Sequence, residues 1–225
     1  ERILCCGFTT EMSGGKRGDD DPFVRFVRGP AAPWASAALS FHVYHRTHAG
    51  VHVEWPDVAK FWSADNATRG LLRGATLTEW NLNTWGDATT ASESNGPALV
   101  WRLAELLAFC ADEGVKTVYF HCLMEQHPNR KCGQGLFDRY GRPKMGWQMI
   151  ELVVRMIADG YKVARGGGSG SLLTITNADD TAALVVCLKG PANVTVPSSM
   201  TVVGAAAHYN GKTLGEREWL MMSRV

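Results

Sequence analysis

No stretch of about 18 apolar residues occurs in this sequence, so no membrane-spanning helix is expected. No Cys-x-x-Cys pair occurs among the six cysteines, which argues against a zinc knuckle. Charge of one sign is also missing. The formal net charge is only +1, so no general field favours nucleic acid or an anionic membrane. A neutral substrate fits that balance. Asn210-Gly211-Lys212-Thr213 ends like a phosphate loop, but Ala206 stands where the first glycine of that motif belongs. Asn-Gly as a turn is the better reading. Glu1-Arg2-Ile3-Leu4 does not read as a signal peptide and looks like the start of a strand. A chain that opens inside a core element is expected to have been processed, split or truncated.

What is present suggests one or two domains in 225 residues, with a normal globular balance of apolar and charged groups. Four short apolar runs recur: Ile3–Phe8, Ala38–Tyr44, Ala75–Trp80 and Val115–His121. Their starts lie roughly 35 to 40 residues apart, about one strand–helix unit each. Three of the four end in polar or ionisable residues, and in a parallel barrel that end of each strand builds the active site. Between Pro97 and Glu113, Leu99, Val100, Leu103, Leu106, Leu107 and Cys110 share one helical face, with Gly114 as the stop. A second helix is expected from about Lys144 to Asp159, ended by Gly160. Weaker helical patterns cover residues 21–27 and 57–72. After Gly160 the period changes. Gly166–Ser171 reads as a turn or short linker. The runs Leu172–Thr176, Ala182–Leu188, Val194–Val196, Met200–Val203 and Trp219–Met222 then read as an antiparallel sheet or sandwich.

The strongest local motif is Leu77-Thr78-Glu79-Trp80-Asn81. A carboxylate at the end of an apolar strand is expensive to desolvate, so it is expected to pair, bind a metal or do chemistry. Trp80 supplies an aromatic face and Asn81 a hydrogen-bonding group, which together would suit the C–H faces and hydroxyls of a sugar. A salt-bridged structural glutamate is the competing reading. In Phe41-His42-Val43-Tyr44, alternation puts His42 and Tyr44 on one strand face. They could hydrogen-bond a carboxylate such as Glu79, or form a satisfied core pair.

The remaining candidates are weaker. His42, His45, His48 and His52 gather near the exit of the second strand, but the loop adds no carboxylate before Glu54, so neither a metal nor a cofactor is expected. Asp19-Asp20-Asp21 reads as a solvated charge run. Cys122 and Cys132 bracket a polar loop and could bridge, although scattered buried thiols explain the cysteines as well. Asn66-Ala-Thr68 and Asn193-Val-Thr195 are acceptor triplets that would suit a secreted, lysosomal or other extracellular protein.

Taken together, these residues resemble the second half of a clan A glycoside hydrolase, most similar to family 39, which includes β-xylosidases and α-L-iduronidases. In that family the seventh barrel strand ends in Thr-Glu-aromatic-Asn, here Thr78-Glu79-Trp80-Asn81, and the Glu is the nucleophile. The sixth strand carries His-x-Tyr, here His42-Val43-Tyr44. Residues 135–144 resemble the segment joining the eighth strand to its helix. The resemblance implies strands 5–8 of a (β/α)8 TIM barrel over residues 1–160, followed by a small antiparallel β-sandwich over 161–225. It implies a retaining O-glycosidase acting on an oligosaccharide or glycoside. Glu79 would be the nucleophile, oriented by His42 and Tyr44, with Trp80, Asn81 and Trp85 beside the sugar.

Two departures accompany it. The clan's acid/base Glu follows an Asn on the fourth strand, and no Asn-Glu dipeptide occurs in this sequence. Phe120-His121-Cys122 stands where the eighth strand usually has a Trp. Retaining hydrolysis needs two carboxyl groups about 5 Å apart. Glu11 and Glu125 follow the first and fourth runs, yet no motif promotes either, and solvated loop positions are the plainer reading. The acid is therefore expected from a separate N-terminal half-barrel or a second protomer. The alternative is a non-catalytic, glycosidase-like scaffold or glycan-binding subunit.

Overall fold

The structure is a computed structural model, and it describes residues 3–9, 37–46, 54–63, 70–83, 98–124, 135–166 and 171–224. Four strands, β1 (Ile3–Thr9), β2 (Ala37–Arg46), β3 (Thr76–Asn83) and β4 (Thr117–Phe120), form one sheet in chain order. Every pairing in it is parallel. Helices α1 (Trp55–Ser63) and α2 (Ala98–Glu113) connect β2 to β3 and β3 to β4, and α3 (Met145–Met156) follows β4. All four expected strands are present.

The sequence of β2 explains its placement. Leu39, Phe41, Val43 and His45 fall on one face and are buried. Helix α1 covers this face: Phe41 meets Trp62 edge-on at 6.3 Å between ring centroids, and His45 meets Trp55 at 4.8 Å. Trp55, Val58 and Trp62 supply the apolar stripe of the helix, three and four residues apart. Each such side chain contributes about 1.5–3 kcal/mol on burial. The helix begins at Trp55 rather than Asp57, because Pro56 fits a first turn where no N–H is needed. It ends at Ser63. The expected continuation to Leu72 is replaced at its end by a turn over residues 70–74.

Helix α2 runs as expected, with Leu99, Val100, Leu103, Leu106, Leu107 and Cys110 buried. Gly114, at φ +73°, stops it in the left-handed conformation that glycine adopts without penalty. Its carbonyl accepts from Gly74 N–H at 2.7 Å, and Lys116 N–H donates to the Ala75 carbonyl at 3.0 Å, which starts β4 beside β3. Helix α3 lies inside the expected 144–159 span and is followed by Gly160 at φ +107°. The expected helix at 21–27 lies outside the described residues.

The C-terminal region is a five-stranded antiparallel sheet in the order β5-β6-β7-β11-β9. Its strands are β5 (Tyr161–Gly166), β6 (Leu172–Asn177), β7 (Ala182–Cys187), β9 (Met200–Ala205) and β11 (Trp219–Arg224). A two-stranded ribbon, β8 (Ala192–Asn193) with β10 (Thr213–Leu214), lies against one face. Val194 and Leu214 join Ala183, Val185, Cys187, Leu220 and Met222 in that core. Strand β5 was not anticipated, because as a largely exposed edge strand its apolar alternation is confined to Tyr161 and Val163. Pairing in β8 falls two residues earlier than Val194–Val196, although Val194 still fills the core. Asn210-Gly211 is a turn: the Asn210 Oδ1 accepts from Lys212 N–H at 3.0 Å and Thr213 N–H at 2.8 Å.

The chain divides into two compact units, Glu1–Ala91 with Asp112–Gly135, and Ser92–Ala111 with Leu136–Val225. The second takes in most of α2 and all of α3, whereas the expected boundary lay at residue 160. Two contacts explain the difference. The Tyr161 hydroxyl donates to the Leu107 carbonyl at 2.9 Å, and the Arg217 guanidinium lies 5.1 Å from the Trp101 ring centroid. Among the described residues, no helix is long and apolar enough to cross a membrane.

Two outcomes follow from the packing. Burial pushes the Cys110 thiol up to about 12 and also raises that of Cys187. The thiolate is the reactive form, so iodoacetamide at pH 8 is expected to leave both unmodified in the native protein and to alkylate both in urea. The Asp180 carboxyl is held below its ordinary value chiefly by the Lys162 ammonium, at 2.7 Å. A carboxylate depressed in the folded state stabilises it above the unfolded pKa and loses that effect as pH falls through the folded pKa. Asp180 has φ +59°, which Asn also tolerates, so Asp180→Asn isolates the charge. The variant is expected to melt slightly below the parent at pH 7, with the gap closing below pH 3.8, the ordinary Asp value.

Candidate active site

Parallel pairing brings the carboxyl ends of β2, β3 and β4 to one edge of the sheet. Register then decides which side chains meet. Phe41 pairs with Leu77, but His42 pairs with Glu79. Thr78 is thus the extra residue of a bulge, and its hydroxyl donates to the Phe41 carbonyl at 3.1 Å. Bulges of this kind re-aim the side chain that follows. Here that side chain is Glu79, on the face shared with His42 and Tyr44.

The Tyr44 hydroxyl donates to Glu79 Oε2. The His42 Nδ1 lies 3.4 Å from the same oxygen. Both partners converge on Oε2, which leaves Oε1 as the oxygen able to act on a ligand. Burial grades across the group: Tyr44 is 6% exposed, while the His42 and Glu79 side chains are 20% and 33% exposed. Among the described residues no lysine or arginine pairs with Glu79, so its setting differs from that of a structural salt bridge. A carboxylate anchored through one oxygen and open at the other can serve as a nucleophile or a base.

Trp80 and Asn81, expected beside a sugar, sit differently. Trp80 points to the opposite face and is 1% exposed. Its Nε1 donates to His45 Nε2 at 3.0 Å, and its ring meets Phe120 at 5.6 Å. A ring enclosed in this way presents no face to a ligand. Asn81 shares the Glu79 side of the strand but is fully buried; its Nδ2 donates to the His121 carbonyl, and its Oδ1 accepts from Leu82 N–H at 2.6 Å. It acts on the backbone beyond β4 instead of on a substrate. Trp85, Glu11, Glu125, His48, His52, Cys132, Asn66 and Asp19–Asp21 lie outside the described residues.

His45 is buried against Trp55 and Trp80, on the face opposite His42, so these two histidines do not converge. Among the described residues, no group of three His, Cys, Asp or Glu side chains could hold a metal ion. His121 went unnoticed as a site residue. It closes the fourth apolar run, and its ring lies edge-on to Tyr44 at 6.2 Å. An ionisable residue at that strand end was the signal that could have found it.

Among solved structures, a family 39 glycoside hydrolase from the gut symbiont Bacteroides cellulosilyticus matches this chain with a TM-score of 0.51 at 16% identity. The fold is that of part of a family 39 glycoside hydrolase. The match covers 84% of this chain and 44% of that enzyme, so the chain spans less than half of its length. A family 39 enzyme from Xanthomonas axonopodis pv. citri matches at a TM-score of 0.44 and 12% identity, over 84% of this chain and 55% of its own. A monomeric β-xylosidase from Caulobacter crescentus matches at 0.40 and 14%, over 76% and 39%. No family model matches the sequence, and no curated protein matches it.

The enclosure of Trp80 gives a direct test. Trp80→Ala is expected to lower unfolding stability by about 3–5 kcal/mol in urea titrations, as for a core indole. A loss below about 1 kcal/mol, the range of surface substitutions, would place the ring at the surface.

Proposed function

We propose that this chain is the strand 5–8 part of a (β/α)8 barrel of a retaining glycoside hydrolase, with an accessory β-sandwich, and that Glu79 is the nucleophile. The observation that carries the reading is the convergence of Tyr44 and His42 on Glu79 Oε2 at a parallel strand end. Oε1 then attacks the anomeric carbon of a glycoside while Oε2 stays anchored, which holds the carboxylate in one orientation through the displacement. The covalent glycosyl–enzyme is released by water. Tyr44 and His42 orient the nucleophile. The β8–β10 ribbon holds Asn193 of the second acceptor triplet exposed, which is compatible with a secreted or lysosomal protein.

The second carboxyl group, about 5–5.5 Å from the nucleophile in retaining enzymes, protonates the leaving oxygen. In this reading it comes from the complementary barrel half, on a separate chain, a cleaved segment or a second protomer. The β4 edge supports such closure. Among the described residues, strand β4 pairs with β3 alone, and Tyr119 on it is 57% exposed. An uncovered edge of this kind is a template for another strand.

One observation favours a non-catalytic scaffold or glycan-binding subunit instead: Phe120-His121-Cys122 stands where the clan's eighth strand usually has a Trp. A single experiment separates the two readings. The complete assembled protein is incubated with activated 2-deoxy-2-fluoro glycosides and digested for mass spectrometry. The hydrolase reading expects a glycosyl adduct on Glu79, absent in Glu79→Gln. An unlabelled protein that still binds glycosides supports the scaffold.

A further inference from the structure

His121 lies directly after β4, at the strand end that carries Glu79, and its backbone is held from both sides. Its N–H donates to the Trp80 carbonyl at 3.0 Å, and its carbonyl accepts from the buried Asn81. Its ring stands edge-on to Tyr44, the residue that donates to Glu79. The imidazole is therefore fixed within one ring of the candidate nucleophile.

Its two nitrogens are not equivalent. Nδ1 is sealed from solvent and has no hydrogen-bond partner. An N–H donor sealed away unpaired is rarer and costlier than an unpaired lone pair, so the proton belongs on Nε2. The residue as a whole is only half-buried, and Nε2 is not among the sealed, unpartnered atoms. A residue kept only for packing would be better served by Phe, which fills a similar space without an unsatisfied nitrogen.

We infer that His121 is a specificity-determining residue: its Nε2–H donates to a hydroxyl of the sugar seated against Glu79. The inference rests on the glycoside-binding reading of that site. Asn81 becomes a positioning residue that holds the His121 backbone, which accounts for a fully buried amide beside a catalytic carboxylate. A donor at this position favours sugars that carry the matching hydroxyl, because an analogue without it forfeits that hydrogen bond.

The test uses the complete assembled protein, with binding of a panel of methyl glycopyranosides followed by calorimetry. His121→Phe is expected to weaken the best ligand about tenfold, the effect of one hydrogen bond, and His121→Gln, which keeps a donor, to weaken it less. One monodeoxy analogue should bind the parent about as weakly as the intact sugar binds His121→Phe, and should be indifferent to that substitution. If the parent binds a glycoside and His121→Phe binds it equally, the inference fails while Glu79 labelling by the fluoroglycoside still upholds the hydrolase reading. If the parent neither binds a glycoside nor labels at Glu79, both readings fall. Should His121→Phe not fold, 15N NMR of the parent decides. An Nε2–H tautomer whose Nε2 resonance moves on ligand addition is expected, and a proton found on Nδ1 overturns the proposal.

Discussion

The candidate site depends on one irregularity of backbone pairing. In an unbroken parallel ladder, Thr78 would pair with His42, and Glu79 would take the other face of the sheet. The extra residue at Thr78 shifts the register by one, so Glu79 pairs with His42 and turns toward it. The Thr78 hydroxyl closes the bulge by donating to the Phe41 carbonyl. A small side chain with a hydroxyl can do this from within a packed sheet. The convergence of Tyr44 and His42 on Glu79 Oε2 follows from that shift.

Behind the site lies a second layer. His45, Trp55 and Trp80 pack edge to face on the reverse of β2 and β3, with the Trp80 N–H spent on His45. Aromatic groups in this arrangement contribute more than their buried area alone and hold both strands against α1. A conformationally free Glu79 would have to be ordered anew for each ligand it met.

The chain spans less than half of the family 39 enzyme whose fold it shares. Among the described residues, β1 and β4 are the edge strands of the parallel sheet.

Much of the fold was legible along the chain because its signals are local. Alternation in Phe41-His42-Val43-Tyr44 assigned the faces of β2, the 3.6-residue spacing of Leu99 through Cys110 marked α2, and Gly114 and Gly160 marked where helices stop. Glu79 was visible because a carboxylate ending an apolar strand is costly without a purpose. Strand β5 was hidden, since an exposed edge needs no apolar alternation. Trp80 and Asn81 were assigned to the substrate because residue type alone does not reveal which face a bulge leaves open. His121 was legible as an ionisable residue at a strand end, but its contact with Tyr44 was not. The sequence by itself determined the elements and the chemical character of their ends. The tertiary structure alone decided which ends meet, because register and bulges are properties of strand pairs and no single strand encodes them.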